Sequence, residues 1–319
     1  MGGNVFEGTR RYSSLEYLSA QNKWVNYLSD QFTVGTLSIV KEKETFGDLD
    51  LVVTGNKEKL IKILINHYPL FINGNIISIK DNDFQVDLIL VPEISFKYSV
   101  HYFGCQDLGN LIGRLAKQYG LKHGWQGLYY VQRNGDHVVK EHLLSTQYLD
   151  ILKCMCLAKY TFFKGFETYE EMFDWFVSSP RFIPDIFKFE NLNHTNRVRD
   201  RKRKTYNMFL NYLEEIDVGQ FEHNLKLTEE EKKECVCRWF PFVRKEIEEI
   251  DRQIEKANTI KSKFNGKVVS QLTNLVNKDL GSFIQQFKYK QDSDWIYNTP
   301  QSDINNEIIN FYKNEFSNR

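Results

Sequence analysis

The sequence predicts an α+β fold, with a small mixed-sheet domain at residues 1–145 followed by a mainly helical domain at residues 146–319. Two observations support this prediction. Short β-branched apolar runs alternate with helical periods up to Ser145, whereas almost every later apolar period is helical. The two clearest runs, residues 47–53 and 85–91, are bounded by turn residues and are typical of buried strands.

The N-terminal region is predicted to contain an arm and then an amphipathic helix. Residues 1–12 are expected to form an extended, frayed arm; the alternative is that the Arg10-Arg11 pair supplies charge to a binding site. A helix is predicted from Ser13 to about Phe32, because Ser13 or Ser14 can serve as its cap. The apolar positions that indicate its buried face are Leu15, Leu18, Trp24, Val25 and Leu28.

The remaining elements follow from periodicity and from turn residues. In the first domain we predict a helix at 56–67, a strand or hairpin at 71–80, a helix at 106–119, and a hairpin at 127–141 that turns at Asn134-Gly135. In the second domain we predict helices at 149–157 and 170–177, one that follows residue 204, one or two at 228–263 with a break near Pro241, and two more at 272–287 and 304–316.

Three aspartates interrupt the two buried strands. Asp48 and Asp50 lie in the first and Asp87 in the second. Side chains i and i+2 of a strand point to the same face, so Asp48 and Asp50 project together, and Asp87 joins them if the strands are neighbours. Buried carboxylates are costly unless they are paired or bind a metal. Oxygen ligands of this kind suit Mg²⁺, and two ions about 3.5–4 Å apart can promote phosphoryl displacement. The ordinary alternative is an Asp-x-Asp that occurs by chance in a turn.

The segment before these acids has features of a phosphate-binding site. Gly35-Thr36 is a pair of small residues, Lys41 and Lys43 are basic, and Gly47 leads directly into the first aspartate. A small-residue turn with nearby lysines can hold a triphosphate through backbone N–H groups and ammonium charges.

In order and spacing, these pieces resemble the nucleotidyltransferase superfamily, and within it the palm domain of the family X DNA polymerases and terminal transferases. The stretches that carry the resemblance span about residues 31–145 and are Lys43–Asp50, Val86–Pro92, Tyr102–Cys105, Leu115–Lys122 and Gly127-Leu128. The chain departs from the family's pattern in the longer spacing from Gly35 to Asp48, in a shorter Tyr-Phe turn, and in Cys105, where serine is usual.

The resemblance implies a two-metal nucleotidyltransferase that transfers a nucleoside monophosphate from an NTP or dNTP to a hydroxyl acceptor. Asp48 and Asp50 would bridge two Mg²⁺ or Mn²⁺ ions, and Asp87 would ligate the ion that activates the acceptor. The residues expected to bind the nucleotide are Gly35, Thr36, Lys41, Lys43, Gly47, Tyr102, Phe103 and Gly104.

The densest charge run of the chain lies in the second domain. In a nucleotidyltransferase such a run is a candidate grip for the phosphate backbone of an RNA or DNA end, and the alternative is a solvated helix start. Its basic residues are Arg197, Arg199, Arg201, Lys202, Arg203 and Lys204.

The acceptor is expected to be a nucleic-acid 3′ end used without a template. Family X repair polymerases carry a lyase domain and a DNA-gripping domain before the palm, and the stretch before Gly35 is too short to hold them. Two alternatives remain: transfer to a small molecule or a protein, and a non-catalytic scaffold that keeps the palm fold.

Composition sets further expectations. The 42 basic and 42 acidic side chains balance, so net charge neither supports nor excludes nucleic-acid binding. The five cysteines, the lack of a leading signal peptide and the lack of a long apolar run indicate a cytoplasmic protein with reduced thiols and no membrane contact. The pairs Cys154/Cys156 and Cys235/Cys237 are expected to be structural thiols rather than a zinc site.

Overall fold

Strands and helices alternate up to Ser145 in the computed structural model, which describes residues 3–221 and 227–316. In chain order these elements are β1 (Tyr12–Ser13), α1 (Ser14–Ser29), β2 (Thr33–Thr36), β3 (Thr45–Phe46), β4 (Asp48–Thr54), α2 (Lys57–Leu64), β5 (Leu70–Asn73), β6 (Ile76–Asp81), β7 (Phe84–Leu90), α3 (Phe96–Phe103), α4 (Leu108–Gln118), β8 (Leu121–Gly124), β9 (Gly127–Asn134) and β10 (His137–Ser145).

Helices dominate after Ser145, where the described residues form no strand. They are α5 (Tyr148–Cys154), α6 (Lys159–Lys164), α7 (Tyr169–Val177), α8 (His194–Asp200), α9 (Lys204–Glu215), α10 (Glu229–Trp239), α11 (Arg244–Lys263), α12 (Gly266–Thr273), α13 (Asn277–Lys290), α14 (Ser293–Asn298) and α15 (Gln301–Phe311). The predicted α+β class, with a mainly helical second half, is therefore confirmed.

A five-stranded sheet in the order β2-β4-β7-β6-β5 forms the centre of the first half. It is mixed, because β4 and β7 are parallel and the other neighbours are antiparallel. The predicted hairpin at 127–141 is present, but β8, which was not predicted, joins it in a separate three-stranded sheet. The two strands of the hairpin, β9 and β10, connect through Gly135 and Asp136, so the turn lies one residue later than predicted.

One face of the five-stranded sheet packs against α1 and α2. Leu49, Leu51 and Val53 of β4 are fully buried in this cluster. Ser13 caps α1 as predicted and forms a capping box with Glu16.

The buried face of α1 differs from the prediction. Leu15 and Leu18 are 81% and 47% exposed, whereas Tyr17, Trp24 and Leu28 are buried. The three buried residues recur at i, i+7 and i+11, which places them on one helical face. The two exposed leucines lie outside that face.

The other face of the sheet packs against α3, which the sequence did not predict. Phe96, Val100 and Phe103 contact Val52 and Ile89 there. Tyr102 and Phe103 therefore lie in the last turn of this helix. The sequence did not indicate α3 because the helix is short and rich in aromatic residues, so the helical spacing of its apolar positions is hard to recognise.

The division of the chain differs from the predicted boundary after residue 145. The chain forms two compact units, Met1–Pro241 and Phe242–Arg319. Contacts such as the hydrogen bond from Lys41 N–H to the Phe166 carbonyl, 3.1 Å long, attach the following helices to the first unit. The second unit has its own core, which includes Phe264, Phe283, Phe287, Ile304 and Ile308.

In the described part of the chain, no helix combines the length and the apolar character needed to cross a membrane.

Candidate functional site

The parallel pairing of β4 with β7 assembles the three predicted acids. Asp50 lies directly beside Asp87, and Asp48 lies beside Gln85. Paired residues of neighbouring strands direct their side chains to the same face, so the carboxylates converge. One oxygen from each of Asp48, Asp50 and Asp87 lies within 4.8 Å of the others. The predicted cluster is therefore present, and each side chain in it is partly buried.

The cluster is electrostatically strained. Burial raises the pKa of Asp50 well above its usual range, and the charges of Asp48 and Asp87 raise it further. Burial also raises the pKa of Asp48 and of Asp87. Partly buried carboxylates that repel each other are the donors that a hard divalent cation neutralises. The residues present therefore fit Mg²⁺ or Mn²⁺.

A pH-dependent stability is expected from this strain. The folded-state pKa of Asp50 is raised, so its contribution to stability is fully present below the unfolded value near 3.8 and is lost as the pH rises through the folded value. In the absence of metal, Asp50→Asn should raise the melting temperature at neutral pH by roughly 2 °C or more, the shift that about 1 kcal/mol produces. The increase should be much smaller near pH 4.

Thermal melting of both proteins at the two pH values measures this effect. Asp136→Asn, at the exposed tip between β9 and β10, serves as the matched control and should change neither melting temperature. An Asp50→Asn effect of equal size at both pH values would contradict the raised pKa.

The two lysines predicted to bind phosphate are in different places. Lys43 lies beside the acids, where its charge opposes the raised pKa of both Asp48 and Asp50. Burial lowers the pKa of Lys43 itself, and its ammonium lies 4.5 Å from the ring centroid of Phe46. The ammonium of Lys41 is instead 2.5 Å from a carboxylate oxygen of Glu167. Of the two, only Lys43 is shown to act on the acid cluster.

The predicted Gly35-Thr36 turn is a strand in the structure. Both residues belong to β2 and pair with Val52 and Leu51 of β4. A Cβ atom at Gly35 would lie 2.4 Å from Cγ2 of Val100. Glycine is therefore needed there because α3 packs closely against β2. Gly47 is the residue immediately before β4 and the acids.

The predicted Tyr102-Phe103-Gly104 segment ends α3 and packs against the loop that follows β2. The Cys105 N–H donates to the Ser38 carbonyl at 2.7 Å. Cys105 and Gln106 both have positive φ angles, 51° and 56°. Non-glycine residues rarely adopt this conformation, so the turn is strained.

The basic run is divided between two helices and is partly neutralised. Asp200 is fully buried at the end of α8 and accepts hydrogen bonds from Arg114 and Arg199. Arg199 also donates to Oδ1 of Asn110 at 2.7 Å, and Arg203 pairs with Asp107.

Arg197 is also engaged within the protein, since it donates to the Leu192 carbonyl at 2.7 Å. Arg199 is exposed but paired with Asp200, so the exposed members without a carboxylate partner among the described residues are Arg201, Lys202 and Lys204. Arg201 also stacks on Phe189, with its guanidinium 5.7 Å from the ring centroid. The predicted phosphate grip therefore reduces to three exposed cations that no described carboxylate neutralises.

Sequence reasoning missed residues that surround the acids. Nε2 of Gln85 donates to both carboxylate oxygens of Asp87 at 3.0 Å. Tyr17 stacks on Phe46 and is close enough for the charges of the aspartates to raise its pKa, in addition to the larger effect of burial. Gln85 precedes Asp87 by two residues, so strand alternation could have identified it.

The N-terminal segment was also misjudged. It was expected to be frayed, but β1 pairs with β3, and Arg11 donates to the Thr45 carbonyl at 2.7 Å. The alternative prediction is met in part: the Arg10 guanidinium is held by Asp83 and Glu16, whereas the charge of Arg11 acts on Asp48 and lowers its pKa against the larger effect of burial. Asp83 and Thr45 are distant in sequence from the arginines, which explains why no local pattern indicated these contacts.

No disulfide joins the described cysteines. Cys154 and Cys237 are buried, and burial raises the pKa of Cys154 to about 12. Such a thiol is a poor nucleophile and a poor metal ligand at neutral pH.

No model of a known protein family matches this chain, and a comparison with curated proteins found no match. The function is therefore inferred from the site itself.

Proposed function

We propose that the protein is a two-metal nucleotidyltransferase that transfers a nucleoside monophosphate from an NTP or dNTP to a hydroxyl acceptor. The observation that carries the proposal is the parallel register of β4 and β7, which sets Asp50 beside Asp87 and brings the three carboxylates within 4.8 Å of one another. The resemblance of the segments around these acids to a family X palm supplies the reaction class.

The acids and Lys43 would have different roles in this reaction. Asp48 and Asp50, two residues apart on one rigid strand, would hold both ions, and Asp87 would complete the ligand set on the acceptor side. Lys43 places a positive charge at the same cluster, where triphosphate oxygens would be bound. When bound, Mg²⁺ or Mn²⁺ would lower the pKa of the acceptor hydroxyl and neutralise charge on the departing pyrophosphate. Most of the rate would come from positioning and from this neutralisation.

A nucleic-acid 3′ end is the acceptor that we favour. Arg201, Lys202 and Lys204 expose their side chains around the start of α9, while Arg199 and Arg203 connect this region to α4 through Asn110 and Asp107. The charges of Arg199 and Arg203 also reach Tyr102, at the end of α3. The exposed cations thus lie on a segment fixed to the predicted nucleotide-binding turn.

A transfer assay tests the proposal. Purified protein with Mg²⁺ or Mn²⁺ would be given each labelled NTP and dNTP together with single-stranded RNA, tRNA, single-stranded DNA or gapped duplex. Asp48→Asn/Asp50→Asn is the control, because it keeps the shape of the site and removes two of its charges. Extension of one acceptor by the native protein alone would support the proposal. Extension by both proteins would exclude the acids as its origin.

The exposed cations lead to a second prediction. Replacing Arg201, Lys202 and Lys204 with alanine should weaken acceptor binding about tenfold at moderate salt and reduce the salt dependence, since each phosphate contact to a single strand contributes about 0.7 to the slope of log K against log salt. The matched control removes the same charge from exposed lysines of the second unit: Lys267→Ala/Lys278→Ala/Lys288→Ala. Fluorescence anisotropy across a salt series measures the acceptor affinity and its salt dependence. Equal slopes of log K against log salt in the two triple variants would exclude the phosphate grip.

The two lysines lead to a third prediction. Lys43→Met should lower kcat/KM for the nucleotide by about tenfold or more, because a charge-assisted contact contributes about 1.5–3 kcal/mol. Lys41→Met should change kcat/KM little, since the Lys41 side chain is 63% exposed and pairs with Glu167. Steady-state kinetics of both variants decides the assignment. A larger loss of kcat/KM in Lys41→Met than in Lys43→Met would assign the nucleotide contact to Lys41.

Transfer to a small molecule or a protein is the second candidate. The observation that favours it is the internal pairing of Arg199 and Arg203, which leaves fewer cations for a phosphate backbone. Turnover with nucleotide but without extension of any nucleic acid would support this candidate. We also propose a cytoplasmic location, which the absence of a disulfide among the described cysteines supports.

A further inference from the structure

Residues 3–9 form a strap that crosses the acid-bearing face of the sheet. The Gly3 N–H is placed to hydrogen-bond the Asp48 carboxylate on β4, and this contact favours the charged form of Asp48. The Val5 N–H donates to Oε1 of Gln85 on β7 at 2.9 Å. The Glu7 carbonyl accepts from Nζ of Lys80 on β6 at 2.5 Å.

These contacts follow a single row of the sheet. Asp48 pairs with Gln85, and Gln85 pairs with Lys80, so their side chains share one face. The next row along the strands contains Asp50 and Asp87. The strap therefore lies one row from the centre of the acid cluster, and it binds there through its own backbone groups.

Gln85 connects the strap to the acids. Its side chain is 2% exposed; Oε1 accepts from Val5, and Nε2 donates to both oxygens of Asp87 at 3.0 Å. An amide has one acceptor end and one donor end. The Val5 N–H fixes which end faces the strap, and so the donor end is directed at Asp87.

The strap also packs closely against Gly47, the residue that precedes Asp48. A Cβ atom at Gly3 would lie 2.1 Å from the Gly47 carbonyl oxygen, and Gly3 has a φ of 81°. Thr9 closes the strap, because its hydroxyl donates to the Gly3 carbonyl at 2.8 Å. Any side chain at residue 3 would push the strap away from the turn that precedes Asp48.

We propose that Gln85 is a positioning residue through which the strap orients Asp87 for metal binding, an inference that rests on the proposed function. Bound to Val5, the Gln85 amide holds both Asp87 oxygens in one orientation, while Gly3 contacts Asp48. Groups that orient metal ligands in this way typically contribute about 10–100-fold to metal affinity. The strap is therefore part of the site and does not merely cover it.

The first test needs no metal. Gln85→Met fills a similar volume but can neither accept from Val5 nor donate to Asp87. Hydrogen exchange of the Val5 amide should be slow in the native protein and at least about tenfold faster in Gln85→Met, because the amide loses its partner. Equal exchange rates of the Val5 amide in the two proteins would overturn the proposed connection between the strap and Gln85.

The second test measures Mn²⁺ binding by electron paramagnetic resonance, without nucleotide. Gln85→Met should bind Mn²⁺ about tenfold more weakly, and Gly3→Ala should weaken binding in the same direction. Gly74→Ala is the matched control: it has a positive φ of 58° and lies outside the strap, and its Cβ would meet no atom within 4 Å. It should bind like the native protein.

The outcomes separate this inference from the proposed function. If Asp50→Asn binds Mn²⁺ as well as the native protein does, the acids are not the metal site and the proposed function fails. If Asp50→Asn loses binding while Gly3→Ala and Gln85→Met keep it, only the inference about the strap fails. Tighter binding in Gly3→Ala would show that the strap competes with the ion, and would also overturn the inference.

Discussion

Replacing Asp87 with asparagine is expected to reduce nucleotidyl transfer on the order of a thousandfold, because charge neutralisation by a fixed metal contributes several kcal/mol to such reactions. Asp87 lies beside Asp50 in register and supplies one of the three converging carboxylates. Asparagine keeps nearly the same volume but removes the charge. The loss should appear in kcat, since the acceptor hydroxyl would no longer be activated.

The fold should survive this substitution. Burial raises the pKa of Asp87, so the charged form is already disfavoured in the folded protein. Removing that charge also relieves repulsion with its neighbours, and the melting temperature should not fall. Of the two hydrogen bonds from Gln85, the one to Oδ1 can be kept by asparagine.

Initial rates with the acceptor found in the transfer assay measure this effect. The rates of Asp87→Asn should be compared with those of Asp136→Asn, which changes an exposed aspartate by the same chemistry. A rate for Asp87→Asn within tenfold of the native protein would refute the metal assignment. A melting temperature that falls together with the rate would instead assign Asp87 to the stability of the sheet.

The acid cluster could be predicted because its cause is local. Strand alternation places Asp48 and Asp50 on one face whatever the rest of the chain does, and Asp87 could be added on the assumption that the two apolar strands are neighbours. That these strands pair in parallel was not predicted. The cap of α1 at Ser13 was predictable for the same reason, since capping depends on residues a few positions apart.

The roles of the charged side chains could not be predicted, because their partners are far away in sequence. Lys41 and Lys43 are equivalent by sequence, but in the fold Lys41 pairs with Glu167, whereas Lys43 is partly buried beside Asp48 and Asp50. Arg199 was interpreted as a phosphate contact because nothing near it in sequence shows that Asn110 accepts from it.

The contacts of the N-terminal strap were even harder to predict from the sequence. Its contacts with Gln85 join residues 80 positions apart. They use backbone N–H groups, which carry no signature in the side-chain sequence. Such contacts can be found only when the folded chain places both segments together.

Replacing Asp200 with asparagine is expected to destabilise the first unit by about 3–5 kcal/mol, the usual effect of removing one member of a buried ion pair. Asp200 is completely buried and accepts hydrogen bonds from Arg114 and Arg199. The side chain of Arg114 is only 10% exposed, so its charge would be left with little solvation. Asparagine can accept from one guanidinium, but it cannot neutralise either.

Urea denaturation, followed by a spectroscopic signal of the first unit, measures this loss. Glu167→Gln provides the matched control, because it removes one carboxylate from an ion pair whose side chains are 63% and 58% exposed. Exposed pairs contribute about 0–1 kcal/mol, so the control should stay close to the native protein. A similar small loss in Asp200→Asn would mean that the arginines are solvated without Asp200. Arg199 would then be free to contact phosphate, and the proposed grip would include four cations, Arg199, Arg201, Lys202 and Lys204, while Arg203 stays paired with Asp107.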